Sequence, residues 1–157
     1  MLKDDRLINK ISKWRLPTKS EADDFIEYLE INYPKCEIGG ACWTSTPYKD
    51  SEITCWVANF DLNSSFARFH GTRNQNHGYF QGCIRLVCPI EDTGEKSKNR
   101  LTETAEYWID HQQNLAWQKN LISDKGIPTK EAHHVWVGSL IEATKVVQIA
   151  NENIKDV

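Results

Sequence analysis

The first helical pattern lies near the start of the chain. Apolar residues recur at helical spacing between positions 22 and 29, and Asp23, Asp24 and Glu27 lie on the solvent side. Thr18 and Glu21 precede this stripe at the spacing of a capping box, and Pro34 follows it. The pattern therefore predicts an amphipathic helix that begins after Thr18 and ends shortly after Ile31.

The middle of the chain has short runs rich in β-branched and aromatic residues. Residues 53–60, 65–70 and 82–88 carry such runs, and we predict a strand for each. Asn, Gly, Ser and Asp cluster at 61–64 and again at 71–78, which is typical of turns and loops. This part of the chain is therefore expected to form strands joined by short polar connections.

The last third begins with a polar stretch at 90–99, which we interpret as a surface linker. Residues 105–109 and 114–118 then predict a hairpin that turns around Asp110. Apolar residues at helical spacing over 139–154 predict a second helix. Helices that are segregated from a small antiparallel sheet define an α+β class, whereas a parallel sheet would need alternating strands and helices.

Composition narrows the class of protein. The 157 residues, 39% hydrophobic and 26% charged, fit one globular domain, and we expect 1–157 to be that domain. A net charge of -3 gives no basic field, so we expect no nucleic-acid partner. No stretch of about 18 apolar residues occurs, so we expect no membrane insertion. Charges interrupt the first residues, which predicts no secretory leader and leaves the localisation open.

The five cysteines form no CxxC pair and no zinc-site spacing. Cys83 and Cys88 are an odd number of positions apart, so on one strand they would face opposite sides. We therefore expect mostly buried, reduced thiols. A copper-binding cysteine pair is disfavoured by the same argument.

The histidines and acidic residues do not predict a metal site. His133 and His134 are adjacent and point apart on either a helix or a strand. A lectin-type calcium site needs several carboxylates, whereas the Asn-rich stretch from Asp61 to Asn76 carries only one. We expect no metal and no other cofactor.

The strongest binding candidate is the segment 66–80. It combines planar cationic, amide and aromatic side chains, which are the groups that sugars, peptides and acidic ligands contact. The alternative is a solvated hairpin loop without a ligand. The candidate ligand-binding residues are Arg68, His70, Arg73, Asn74, Asn76, His77 and Tyr79.

Three runs together resemble a known bacterial family. They are WRLPT at 14–18, WTSTPY at 43–48 and CIRLV at 83–87. This set resembles the Lcl C-terminal-type domain, although Thr44 replaces the usual first serine and 86–88 lack the usual basic residue and glycine. The resemblance implies a C-type-lectin-like fold, with a small twisted antiparallel sheet and two flanking helices.

The order of the matching segments is permuted. The family opens with a strand pair and a helix before its WRLPT run, but here the matching residues follow the last strand. They are Arg100, Asp110, the run from Asn114 to Lys119, Trp136, Ala143, Ala150 and Asn151. Either the chain is a circular permutant, with 90–99 joining 1–89 to 100–157, or 100–157 completes a neighbouring chain by domain swapping. We favour closure within one chain.

WRLPT also resembles the start of a helix in the formylglycine-generating, sulfatase-modifying enzymes. The other segments typical of those enzymes are absent, and Ser45 lacks a nucleophile elbow. We interpret WRLPT and WTSTPY as structural: Trp14 and Trp43 fill the core, Thr18 caps the helix, and hydroxyls bond backbone groups. We therefore expect no enzyme activity.

The resemblance implies a recognition or adhesion module that binds a carbohydrate or protein ligand through 66–80. It also implies a cell-surface, secreted or phage-particle protein. One alternative is a structural subunit, a homo-oligomer that assembles head-to-tail by exchanging its C-terminal half. An enzyme related to sulfatase-modifying factors is the third hypothesis. Fold-level analogy cannot choose the ligand.

Overall fold

A computed structural model describes residues 14–36, 38–47, 55–60, 69–71, 83–91, 99–123, 125–129 and 140–154. Within these ranges helix α1 (Lys19–Asn32) precedes all strands and helix α2 (Leu140–Asn153) follows them. The strands in between are β1 (Ala41–Pro47), β2 (Cys55–Asn59), β3 (Phe69–Gly71), β4 (Val87–Pro89), β5 (Leu101–Glu103), β6 (Tyr107–Asp110), β7 (Leu115–Gln118), β8 (Leu121–Ile122) and β9 (Pro128–Thr129).

The strands form small antiparallel sheets. Their orders are β1-β2-β3, β4-β7-β6-β5 and β8-β9, and neighbouring strands in each are antiparallel. Two helices with small antiparallel sheets confirm the predicted α+β class. The C-type-lectin-like fold and the permuted order stay predictions.

Both predicted helices are present. The Thr18 hydroxyl accepts from the Glu21 backbone N–H at 3.1 Å, and the Glu21 carboxylate accepts from the Thr18 N–H at 2.8 Å. This reciprocal pair is the predicted capping box. Helix α1 ends at Asn32, two residues before Pro34, as the sequence indicates.

The strand predictions were less complete. The predicted strand 53–60 corresponds to β2, and 82–88 contains two isolated bridges followed by β4. Strand β3 covers the end of 65–70, whose first residues lie outside the described ranges. Strands β1, β5, β8 and β9 were not predicted, because the hydroxyl residues of β1 and the brevity of the other three hide the alternating pattern. The pairing of β1 with β2 shifts register between Trp43 and Pro47.

The predicted hairpin around Asp110 is confirmed. Strands β6 and β7 pair, and the Asp110 carboxylate accepts from the backbone N–H groups of Gln112 (3.0 Å) and Gln113 (3.2 Å). Asn114 closes the turn with a φ of 54°, a left-handed conformation that asparagine tolerates. The buried Asp110 side chain also accepts two hydrogen bonds from Arg100.

Two clusters of buried residues lie on the two sides of the strands. The α1 cluster joins helix α1 to strand residues that include Cys42, Phe60, Cys83, Val87, Trp108 and Trp117. The α2 cluster joins helix α2 to Trp14, Leu16, Trp43, Ile84, Leu86, Cys88, Ala116 and Ile122. Successive residues of one strand alternate between the clusters, as the period of a strand requires.

The early and late parts of the chain share both clusters. Strand β4 pairs with β7, and Arg15 exchanges backbone hydrogen bonds with Val87 at 3.0 and 2.9 Å. The Trp14 ring stacks on Tyr107, with centroids 5.7 Å apart. The contacts therefore cross the predicted linker, of which 92–98 lie outside the described residues. The division at 90–99 stays a prediction.

Candidate functional site

The predicted ligand-binding segment is described only at β3. His70 is the central residue of that strand, and its backbone pairs with Val57 of β2. The other six predicted residues lie outside the described ranges: Arg68, Arg73, Asn74, Asn76, His77 and Tyr79. The role of all seven residues as a ligand site stays a prediction.

Strand β3 lies at the edge of its sheet among the described strands. Trp56 on β2 is the pairing partner of Gly71, the last residue of β3. The Trp56 ring is partly exposed, and the Lys19 ammonium lies 5.2 Å from its centroid. An aromatic ring and a cation thus lie near β3, the described part of the predicted segment.

The WTSTPY run holds β1 in place through its hydroxyl groups. The Thr44 hydroxyl donates to the Trp56 carbonyl at 2.7 Å, and the Thr46 hydroxyl accepts from the Lys19 N–H at 2.8 Å. Trp43 is fully buried. These contacts confirm the structural interpretation for residues 43–46, and Tyr48 lies outside the described residues.

The WRLPT run is likewise structural. Trp14 is buried in the α2 cluster, and the Arg15 guanidinium donates to both Glu21 carboxylate oxygens at 2.8 Å. Partial burial alone would raise the pKa of Glu21, but the hydrogen bonds from Arg15 and Thr18 outweigh it and lower that pKa. The hydrogen bond to Glu21 raises the pKa of Arg15. The pair therefore stays charged at neutral pH.

The sequence analysis gave no role to Arg85, which is completely buried. Its two terminal nitrogens donate to four backbone carbonyls at 2.6 to 3.1 Å, and its guanidinium lies 5.0 Å from the Phe60 centroid. The four carbonyls belong to Ile38, Gly39, Gln118 and Lys119. The one feature of the sequence that could have indicated this role is that Arg85 is the single charged residue in the apolar run 83–87. Arg85 ties the loop before β1 to the end of β7.

The cysteines occupy separate environments. Cys42 and Cys83 are paired residues of neighbouring segments and lie in the α1 cluster, whereas Cys88 lies in the α2 cluster. The predicted opposite orientation of Cys83 and Cys88 is thereby confirmed. All five cysteines are thiols, and Cys36 alone among them is only partly buried. Burial raises the pKa of the Cys55 thiol.

A small cleft of about 90 Å³ opens beside the end of α1. Its lining combines two aromatic rings, two leucines, one carboxylate and one thiol, contributed by Tyr33, Trp108, Leu29, Leu101, Glu103 and Cys36. The Lys119 ammonium pairs with Glu103 and lies 5.7 Å from the Trp108 centroid. The sequence analysis missed this cleft because its walls come from α1, β5 and β6.

The described histidines, cysteines and acidic residues form no metal-binding group. In the described ranges, no three His, Cys, Asp or Glu residues are grouped so that they could hold a metal ion. His111 shares a 2.6 Å hydrogen bond with the Thr102 hydroxyl. His133 and His134 lie outside the described residues.

The comparisons with known proteins give no relative. No family model matches the chain, and neither a curated protein nor a solved structure matches it. Among the described helices, none combines the length and apolar character that a membrane span requires.

Proposed function

We propose that this chain is a C-type-lectin-like recognition module in permuted order, without enzymatic activity, that binds a carbohydrate or protein ligand through 66–80. The observation that carries the proposal is the contact between Asn151 and Trp14. The Asn151 amide accepts from the Trp14 N–H at 3.0 Å and donates to the Trp14 carbonyl at 2.9 Å. In the family that the sequence resembles, the corresponding helix directly precedes WRLPT.

The permuted order is supported because segments distant in sequence are neighbours in space. Asn151 follows Trp14 by 137 positions, yet its side chain bonds both backbone groups of that residue. The end of helix α2 therefore lies next to the first residue of WRLPT, which is where a helix that directly precedes this run would end. Strand β4 pairs with Arg15 of WRLPT on one side and with β7 on the other.

The binding face is supported by the position of β3. Among the described strands β3 lies at the edge of its sheet, an edge strand presents unpaired backbone groups, and the segment 66–80 includes β3. The Lys19 ammonium and the Trp56 ring adjoin the same edge. Sugars and acidic peptide groups are bound by this combination of aromatic and cationic groups.

A binding screen tests the proposal. The intact chain is applied to glycan and protein arrays, and each ligand found is titrated against the triple variant Arg68→Ala, Arg73→Ala, Tyr79→Ala. We expect at least about a tenfold loss of affinity, since loss of a few well-placed contacts exceeds 1.4 kcal/mol.

A matched triple variant provides the control. Lys125→Ala, Ile127→Ala and Lys145→Ala remove two cations and one apolar group from exposed positions in the β8–β9 connection and on α2. We expect this control to bind as the unmodified chain does. Unchanged affinity in the Arg68, Arg73 and Tyr79 variant would remove the assignment of 66–80.

A further inference from the structure

Two cysteines face each other across neighbouring segments. The backbone N–H of Cys83 donates to the Ala41 carbonyl at 2.8 Å, and its backbone carbonyl accepts from the Trp43 N–H at 3.0 Å, so Cys42 and Cys83 are Cα partners in a parallel bridge. Neighbouring strands are about 4.8 Å apart. A disulfide accepts Cα separations of roughly 4.4–6.8 Å. The backbone geometry therefore suits a disulfide between Cys42 and Cys83.

The buried Arg85 supplies a positive charge beside these thiols. Cys83 and Arg85 are two positions apart, and Arg85 bonds the carbonyls of Ile38 and Gly39, which lie between Cys36 and Cys42 in the chain. Its terminal nitrogens bond carbonyls, and its buried Nε has no hydrogen-bond partner among the described residues. Burial lowers the pKa of Arg85, and the neighbouring sulfurs oppose that change. A neighbouring anionic sulfur would be stabilised by the positive charge of the guanidinium.

Cys36 connects this group to solvent. It is partly buried, packs against the α1 cluster and lines the cleft next to Tyr33 and Trp108. Arg85 binds the carbonyls of Ile38 and Gly39, which follow Cys36 closely in the chain. An oxidant in the cleft therefore meets the Cys36 thiol, which packs against the cluster that contains Cys42 and Cys83.

We propose that Cys36, Cys42 and Cys83 form a thiol site that reacts with hydroperoxides at the cleft and stores the oxidation as a Cys42–Cys83 disulfide. The site is independent of the ligand segment 66–80. Arg85 favours the thiolate form, which is the reactive form of cysteine.

The reaction has three steps: oxidation of Cys36, formation of a first disulfide, and thiol–disulfide exchange. The Cys36 thiolate attacks one peroxide oxygen, the O–O bond breaks, and the leaving hydroxide or alkoxide takes a proton, which leaves a sulfenic acid. The Cys42 thiol displaces the sulfenic hydroxyl as water and forms a Cys36–Cys42 disulfide. The Cys83 thiolate then attacks the Cys42 sulfur and releases Cys36 as a thiol. In total, two thiols lose two electrons and become one disulfide, and one hydroperoxide is reduced to an alcohol or water.

Hydrogen peroxide and the intact, reduced chain test the proposal. After treatment at neutral pH, remaining thiols are alkylated and disulfides are located by peptide mass spectrometry. We expect the chain to lose two of its five thiols and to contain a Cys42–Cys83 disulfide. Cys36→Ser should slow this loss by at least about tenfold, because the buried pair lacks direct access.

A second variant and a control make the outcome decisive. In the Cys83→Ser variant the reaction should stop at the Cys36–Cys42 disulfide, which peptide mass spectrometry also detects. Cys55→Ser should oxidise as the unmodified chain does, because burial raises the pKa of Cys55 and disfavours its thiolate. Near-ultraviolet circular dichroism checks that each variant is folded. Equal oxidation rates with and without Cys36, or only overoxidised Cys36 beside alkylated Cys42 and Cys83, would overturn the proposal.

Discussion

Asn151 is the single residue that most directly links the end of the chain to its beginning. Its amide reproduces the hydrogen-bonding pattern of a backbone group and pairs with both the N–H and the carbonyl of Trp14. It also donates to the Val147 carbonyl of its own helix. Few residue types can donate and accept in this way, since a carboxylate only accepts.

Replacing Asn151 by alanine should destabilise the fold by about 1–3 kcal/mol, because two partly buried backbone groups of Trp14 lose their partner. Asn153→Ala on the same helix is the control, since its side chain makes an exposed hydrogen bond to the Lys125 carbonyl. Urea denaturation of both variants measures the difference. Equal stability of the two variants would show that the Trp14 contact contributes little.

Arg85 shows where residue-level sequence analysis fails. An arginine in an apolar run is ordinarily placed on the exposed side of a strand, since burying its charge is costly. Here four carbonyls from two distant segments compensate that cost. No spacing in the sequence encodes such a set of acceptors, so this role could not be predicted.

At the scale of elements, the sequence predicted the helix and the hairpin that are stabilised by interactions between residues close in the chain. The capping box and the apolar stripe of α1 predicted its bounds to within one residue, because both are contained in the helix. The β6–β7 hairpin was predicted for the same reason, since Asp110 bonds its own turn. Strands β1 and β5 pair with the next strands in the chain, β2 and β6, but the hydroxyl residues of β1 and the three-residue length of β5 leave no clear alternating pattern.

The capping box of α1 gives a pH-dependent prediction. The folded pKa of Glu21 lies below its ordinary value of 4.5, so its contribution is complete above about pH 4.5 and is lost as pH falls through the folded pKa. Glu21→Gln should therefore cost about 1 kcal/mol at pH 7 and less at pH 3.

Urea denaturation at both pH values measures this effect. Glu27→Gln, at an exposed position of the same helix, is the control and should change stability little at either pH. A Glu21→Gln effect of the same size at pH 3 and pH 7 would contradict the assigned role of the carboxylate.

At the scale of the whole molecule, both core clusters depend on both parts of the chain. Trp117 of β7 stacks on Phe25 of α1 with centroids 4.2 Å apart, and Ala143 and Ala150 of α2 pack in the cluster that contains Trp14. In a domain-swapped assembly the same pairings would form between two chains. In both the single-chain and the domain-swapped arrangement, residues 1–89 need residues 100–157 to complete their core.

The most direct measurement is the thermal unfolding of a chain that ends at Pro89. Such a chain lacks β5, β6, β7 and α2, so Phe25 loses the Trp117 stack and Trp14 loses Asn151. We expect no cooperative transition, and we expect one to return when the separate peptide 90–157 is added. Cooperative melting of the shortened chain alone would contradict the shared core and, with it, the permuted C-type-lectin-like proposal.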